Sequence, residues 1–286
     1  MARAGIDIGT NSMRLLIVDD AGHDLLRIAR VTGLGRGMDA NRRFDRDAVR
    51  QTLNVFDQFD RLCEVHGADR RRAVATSATR DAEDREQFLD LAAEMLGVRP
   101  EVISGVEEAD LAYRGATADR PGDHVVIDIG GGSTEFVYRT ETTHAVSIDI
   151  GSVRLTDRLL PTRPVDYQDV ETALSHVEGL FTDVHVPVGL DVIGVAGTWT
   201  SLAAIVAGTE GSVHNAELDR LTVERLVVRL ASLSVEETAS LPDLDPARAP
   251  VILAGAVIAR EAIRRLDVSS VTVSERDLLD GIVAGL

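Results

Sequence analysis

Apolar and polar positions along the chain fall into two similar halves. Each half opens with an apolar run, a glycine-rich turn and a second apolar run: GIDIGTNSMRLLIV at 5–18 and VIDIGGGSTEFVYR at 126–139. Two apolar runs joined in this way predict a β-hairpin. A third strand is predicted near 24–32 and again near 143–150. Apolar residues then recur with helical period through 46–66 and 166–181. Strands near 73–76 and 192–196 come next, each leading into a helical segment. Short strands at 102–104 and 271–273 close the halves, again before a helix, and the second half adds helical stretches near 222–234 and 248–265.

The two halves keep a common spacing. Asp7 and Asp128 lie 121 positions apart, and the same spacing relates Gly9 to Gly130, Ser12 to Ser133 and Arg14 to Glu135. It also relates VATSAT at 74–79 to VAGTWT at 195–200. Two matches at one spacing imply a duplicated domain. The order βββαβαβα is that of a ribonuclease-H-like lobe. Two such lobes predict an α/β, actin-like fold with an interdomain cleft. The first lobe is expected at residues 1–120 and the second at 121–274. The boundary falls near 119–123, where Pro121 and Gly122 are turn formers. The C-terminal helix, 275–286, is expected to join the first lobe.

Asp7 and Asp128 each interrupt an otherwise apolar strand, and a carboxylate buried there needs a cation or hydrogen-bond donors. Each could simply tie its own turn together. As a pair facing one cleft they point to Mg²⁺, held directly or through water. The turns Gly9-Thr10-Asn11-Ser12 and Gly130-Gly131-Gly132-Ser133-Thr134 supply backbone N–H groups and hydroxyls suited to phosphate. Arg14 stands where the second hairpin has Glu135. The arginine can hold phosphate oxygens and the glutamate a metal or water, although both also fit as hairpin surface charges. Ser104 and Glu107 have the spacing of a helix capping box. Arg80 follows a strand at an expected helix start, a position that suits an anion. Trp199 is expected to serve packing.

Composition narrows the chemistry. The 286 residues carry a net charge of −17, which argues against general nucleic-acid or membrane-surface binding. A polyanionic substrate must then meet local positive charge. All 30 basic residues are arginine, which binds phosphate through a planar fork and excludes a P-loop lysine. The seven histidines and Cys63 show no metal-ligand spacing, so zinc is not expected. One cysteine fits a reducing cytoplasm, and no segment reads as a signal peptide or a membrane span. A homodimer is expected on general grounds.

The stretches GIDIGTNSMRLLI (5–17), ATSATRDA (75–82), SGVEEADLAYRG (104–115), VIDIGGGSTEF (126–136), IGSVRLTDR (150–158) and GVAGTWTSLAAI (194–205) together resemble the exopolyphosphatase and guanosine pentaphosphate phosphohydrolase family along nearly the whole chain. The resemblance implies an actin-like fold and Mg²⁺-dependent attack of water on a terminal phosphoanhydride of inorganic polyphosphate. It implies Glu107 as the base or water-positioning residue, with Glu135 also catalytic. Asp128 and Glu135 would serve metal and water, and Asn11, Arg80 and Gly130, Gly131, Gly132 and Ser133 would hold phosphate. The reading of the residues themselves adds Asp7 to the metal and Thr10, Ser12, Arg14 and Thr134 to phosphate. Guanosine pentaphosphate hydrolysis at the same site, and a non-catalytic phosphate or nucleotide sensor, are the alternatives. The sequence departs from the family pattern at Asp84, where asparagine is usual, and in SERDLLDG at 274–281. It also lacks the C-terminal helical domain of the long members.

Overall fold

The computed structural model describes residues 1–208 and 211–286. The chain opens with strands β1 (Arg3–Ile8), β2 (Ser12–Val18) and β3 (Asp24–Val31). A one-turn helix α1 (Met38–Asn41) and the long α2 (Arg46–Val65) follow, then β4 (Arg70–Ala75), α3 (Ser77–Asp81), α4 (Arg85–Leu96), β5 (Glu101–Val102) and α5 (Gly105–Ala116). The pattern then recurs: β6 (His124–Ile129), β7 (Thr134–Arg139), β8 (Thr143–Ile148), α6 (Ser152–Leu159), α7 (Tyr167–Phe181), β9 (Asp191–Val195) and α8 (Ala196–Ala207). The remainder is β10 (Glu217–Asp219), α9 (Arg220–Ser232), α10 (Val235–Ala239), a 3₁₀ turn (Pro246–Arg248), α11 (Ile252–Leu266), β11 (Ser270–Val273) and α12 (Leu278–Ala284).

The chain forms two units, one of residues 1–115 and 277–286, the other of 116–276. The expected boundary at 119–123 lies a few residues beyond this division, which falls at the last residue of α5. The C-terminal helix α12 belongs to the first unit. The strand order is β3-β2-β1-β4-β5 in the first sheet and β10-β11-β9-β6-β7-β8 in the second. Matching β1 to β6, β2 to β7, β3 to β8, β4 to β9 and β5 to β11 superimposes the two orders, with β10 as an added edge strand. The duplication inferred from spacing is therefore a duplication of topology.

Register carries it further. Asp7 faces Arg14 across the β1–β2 pair, and Asp128 faces Glu135 across β6–β7. Each aspartate also lies beside a valine on its parallel neighbour, Val74 on β4 and Val195 on β9. Both hairpins share this register and differ in the residue opposite the acid, Arg14 in one and Glu135 in the other.

In the first unit α2 and α4 cover one face of the sheet. Asp45 caps α2 by accepting from the amides of Asp47 and Ala48, both at 3.0 Å, and the helix buries Phe56, Phe59 and Cys63 at helical spacing. On the other face α5 and α12 enclose a small core of Leu16, Val74, Leu111, Leu279 and Ile282. Three glycines set the closeness of this layer. A Cβ at Gly5 would come 2.9 Å from Val283, one at Gly115 would meet the carbonyl of Asp277, and one at Gly281 that of Leu111. The core of the second unit forms around α11, whose inner face is almost wholly apolar. Trp199 is fully buried there, as expected of a packing residue, and Gly194 leaves room for its indole.

Candidate active site

The two phosphate-type turns close with the same hydrogen bond. Gly9 N–H donates to the Ser12 carbonyl and Gly130 N–H to the Ser133 carbonyl, each at 3.1 Å. Each turn is then held by its own neighbours. In the first unit the amides of Thr32 and Gly33 donate to the Asn11 carbonyl at 3.0 Å, and Gly35 donates to the Thr10 carbonyl at 2.8 Å. The glycine-rich run Gly33-Leu34-Gly35-Arg36-Gly37 is thus a brace for this turn. A Cβ at Gly35 would lie 2.2 Å from the Thr10 methyl group, so only glycine fits. The Thr10 hydroxyl accepts from Ala78 N–H at 3.2 Å, which fixes the start of α3 beside the turn.

In the second unit the first amides of α6 do the bracing. Ser152 donates to the Gly130 carbonyl at 2.9 Å, and Val153 and Arg154 donate to the Gly131 carbonyl at 2.9 and 3.1 Å. The Thr134 hydroxyl donates to the Ile150 carbonyl at 2.6 Å, and the Thr198 hydroxyl to that of Ile129 at 3.0 Å. Carbonyls of this turn are therefore directed inward.

The acids beneath the turns are buried: Asp7 is 3% exposed, Asp128 6% and Glu135 1%. The Ser147 hydroxyl on β8 donates to Glu135 Oε1 at 2.8 Å. Asp7 uses Oδ2 for Arg14, at 2.7 Å from Nε, while its Oδ1 is buried with no hydrogen-bond partner. Burial pushes the Asp7 carboxyl above the ordinary aspartate range, and the Arg14 guanidinium pulls the other way. An orphaned buried carboxylate oxygen suits a cation or its water. Among the described residues no three His, Cys, Asp or Glu side chains cluster as an all-protein metal cage would require. A divalent ion here would need phosphate and water to complete its shell, the usual manner of Mg²⁺.

Three of the expected site residues have partners or positions that the sequence did not show. Arg14 points not to open space for a phosphate but to two carboxylates, Asp7 and the distant Asp277. Arg80 lies in the last turn of α3 rather than at a helix start, so no helix N-terminus assists it. Its Nη1 donates to the Ile103 carbonyl at 2.9 Å and to Glu108 Oε2 at 3.2 Å. Glu107 is displaced from that pair. Its backbone N–H donates to the Ser104 hydroxyl at 3.2 Å, half of the expected capping box, and its carboxylate turns outward to Arg72 at 3.1 Å. The Glu107 side chain is 48% exposed, and that of Glu108 12%. Adjacent helical residues point about 100° apart, so the spacing that marked Glu107 as a cap residue also turned it from Arg80. Glu108, the buried partner of Arg80, is a residue the sequence reading did not single out. Its only local signal was the double glutamate. Asp84, away from Arg80's side-chain partners, accepts from the Phe44 amide at 3.3 Å and ties the α1–α2 loop to α4.

A model of the Ppx/GppA phosphatase family matches residues 16–286. Exopolyphosphatase 2 of Mycobacterium tuberculosis strain H37Rv is 38% identical, the match covering 99% of this chain and 98% of that protein. The crystal structure of an exopolyphosphatase-like protein is similar with a TM-score of 0.93 and 35% identity, over 99% of this chain and 98% of that one. The crystal structure of the Aquifex aeolicus Ppx/GppA family member gives a TM-score of 0.82 and 29% identity, over 100% of this chain and 97% of that one. With paired hairpins of matching register and similarity along its whole length, this actin-like α/β chain belongs to the Ppx/GppA phosphatase family.

Proposed function

We propose that the protein is an exopolyphosphatase that releases terminal orthophosphate from inorganic polyphosphate by Mg²⁺-dependent attack of water. The observation that carries this reading is the repeated unit of buried aspartate and braced glycine turn. Phosphoryl transfer to water demands mainly positioning and charge neutralisation. The Gly9–Ser12 and Gly130–Ser133 turns present amides and hydroxyls to phosphoryl oxygens, while Thr134, expected among them, is fully buried and donates its hydroxyl proton to the Ile150 carbonyl, bracing the turn instead. Mg²⁺, when bound by Asp7, Asp128 or Glu135 together with phosphate, offsets negative charge on the transferring group.

Glu108 takes the water-positioning role in place of Glu107. It is the glutamate paired with Arg80, and Arg80 is the arginine whose guanidinium phosphate oxygens would compete for. With Arg80 drawn toward phosphate, Glu108 orients a water and accepts its proton. Arg14 keeps its carboxylates and acts on phosphate only through Asp7. The reading also makes the protein a cytoplasmic homodimer. A native mass about twice that of one chain is the result expected for the dimer, and the mass of one chain would contradict it.

The test is orthophosphate release from medium-length polyphosphate with Mg²⁺, beside guanosine pentaphosphate at equal phosphoanhydride concentration. Release from polyphosphate that stops on chelation and resumes with Mg²⁺ supports the reading. Faster release from the nucleotide favours the guanosine pentaphosphate alternative, and none from either favours a sensor.

A further inference from the structure

We propose that Asp277, at the start of the C-terminal helix, is a positioning residue that keeps Asp7 competent to hold a divalent cation. The inference rests on the reading of Asp7 as a metal-site carboxylate and assigns that site a control from the far end of the chain.

The observation is a relay of alternating charge within the first unit. Asp7 on β1 accepts from Arg14 on β2 at 2.7 Å, and the Nη1 of the same guanidinium donates to Asp277 Oδ2. All three side chains are largely buried: 4%, 14% and 8% exposed. Asp277 divides its carboxylate. Oδ1 caps α12 by accepting from Leu279 N–H at 3.0 Å, which leaves Oδ2 for Arg14. Its own N–H donates to Asp280 Oδ2 at 2.9 Å, and Asp280 is gripped by Arg27 of β3 at 2.6 and 3.0 Å. Both acids of the capping box are thus tied to arginines of the hairpin sheet, and α12 cannot slide without moving Arg14.

Charge and geometry give this relay a function. Asp7 and Arg14 alone would form a neutral pair, in which the arginine opposes a cation at the carboxylate. Asp277 returns the group to a net negative charge. It also draws the guanidinium to one side, so that Arg14 holds Asp7 by Oδ2 and the buried Oδ1 has no donor. Loss of the Asp277 charge removes the pull that holds the guanidinium to one side and favours a fork across both oxygens of Asp7, the preferred geometry of an arginine–carboxylate pair. The metal site would then lose negative charge and its unpartnered oxygen. A merely structural role for Asp277 explains the cap but not the second oxygen aimed at Arg14.

Asp277→Asn and Asp277→Ser both keep a good N-cap while removing the charge. The full-length variants are titrated with Mn²⁺ in the presence of inorganic phosphate, followed by electron paramagnetic resonance. Half-saturating Mg²⁺ is measured for phosphate release, with Asp7→Asn as the reference. The proposal expects Mn²⁺ binding weakened about tenfold, the scale of a nearby unit charge in a partly buried site. Half-saturating Mg²⁺ should rise to match, with the KM for polyphosphate within about twofold of the parent. Parental Mn²⁺ binding in both Asp277 variants, with Asp7→Asn defective, overturns the proposal and leaves the metal reading of Asp7 standing. Parental Mn²⁺ binding in Asp7→Asn overturns both. A lower melting temperature with unchanged metal binding assigns Asp277 to the cap alone.

Discussion

Gly151→Ala tests whether the second turn holds the reacting phosphate. Gly151 has φ −140° and ψ 176°, an extended conformation open to any residue, so glycine is not required there by the backbone. It is required by space. A Cβ would lie 2.4 Å from the carbonyl carbon of Gly131 and 2.5 Å from its oxygen and the amide nitrogen of Gly132, where ordinary contact begins near 3.4 Å. The shortfall is about 1 Å against backbone, which has no rotamer by which to escape. Either α6 withdraws and its amides lose the Gly130 and Gly131 carbonyls, or the turn itself is pushed outward. Overpacking of this kind costs about 1–3 kcal/mol, a fall in melting temperature on the order of 5 °C for a chain of this size. A displacement of about 1 Å in a substrate-positioning group lowers kcat by about 100-fold. Phosphate release under saturating polyphosphate and Mg²⁺, read beside a thermal melt, separates the effects. A variant that melts lower yet turns over within threefold of the parent would show that the Gly130 turn does not position the reacting group. A variant unchanged in both would refute the contact between α6 and the turn.

The other predictions are more local. Glu108→Gln should lower kcat by about 10²–10⁴-fold, the worth of a general base, while Glu107→Gln loses a half-exposed pair with Arg72 worth under about 1 kcal/mol and should leave kcat within twofold; the reverse ranking would return the role to Glu107. Burial pushes the Glu261 carboxyl up against the pull of Arg260 and Arg264, so ionising it disfavours the native state. That penalty is absent below the unfolded-state pKa and fully present above the folded one. Glu261→Gln removes the penalty, so its melting temperature relative to the parent should rise as pH increases from about 4 to 7; a difference that stays flat with pH contradicts this.

The parts of this molecule that could be read beforehand are those whose information is local and repeated. Asp7 with Arg14 and Asp128 with Glu135 matched by spacing, and the register sets each pair face to face because a hairpin turns spacing into cross-strand neighbours. The long helices announced themselves through residues such as Phe56, Phe59 and Cys63 on one side of α2. The single-turn helices α1 and α3 are too short to show a period, which is why Arg80 was placed at a helix start rather than an end. The helix expected from 248 begins only at Ile252, after a 3₁₀ turn bracketed by Pro246 and Pro250, since proline removes the amide a helix interior needs. The partner of Arg14 could not have been found by any window, because Asp277 is 263 residues away. Only the return of α12 to the first sheet brings it there.

The proposal that Asp7 and Asp128 act in the same phosphoryl transfer is tested most directly by a double-mutant cycle on Asp7→Asn and Asp128→Asn, read as kcat for phosphate release from polyphosphate. Groups that act as a unit in one step are strongly non-additive. Each single change is therefore predicted to remove at least about 100-fold of the activity, and the double variant little more than the worse of the two. Penalties that multiply in full, or a single variant with parental turnover, would contradict it.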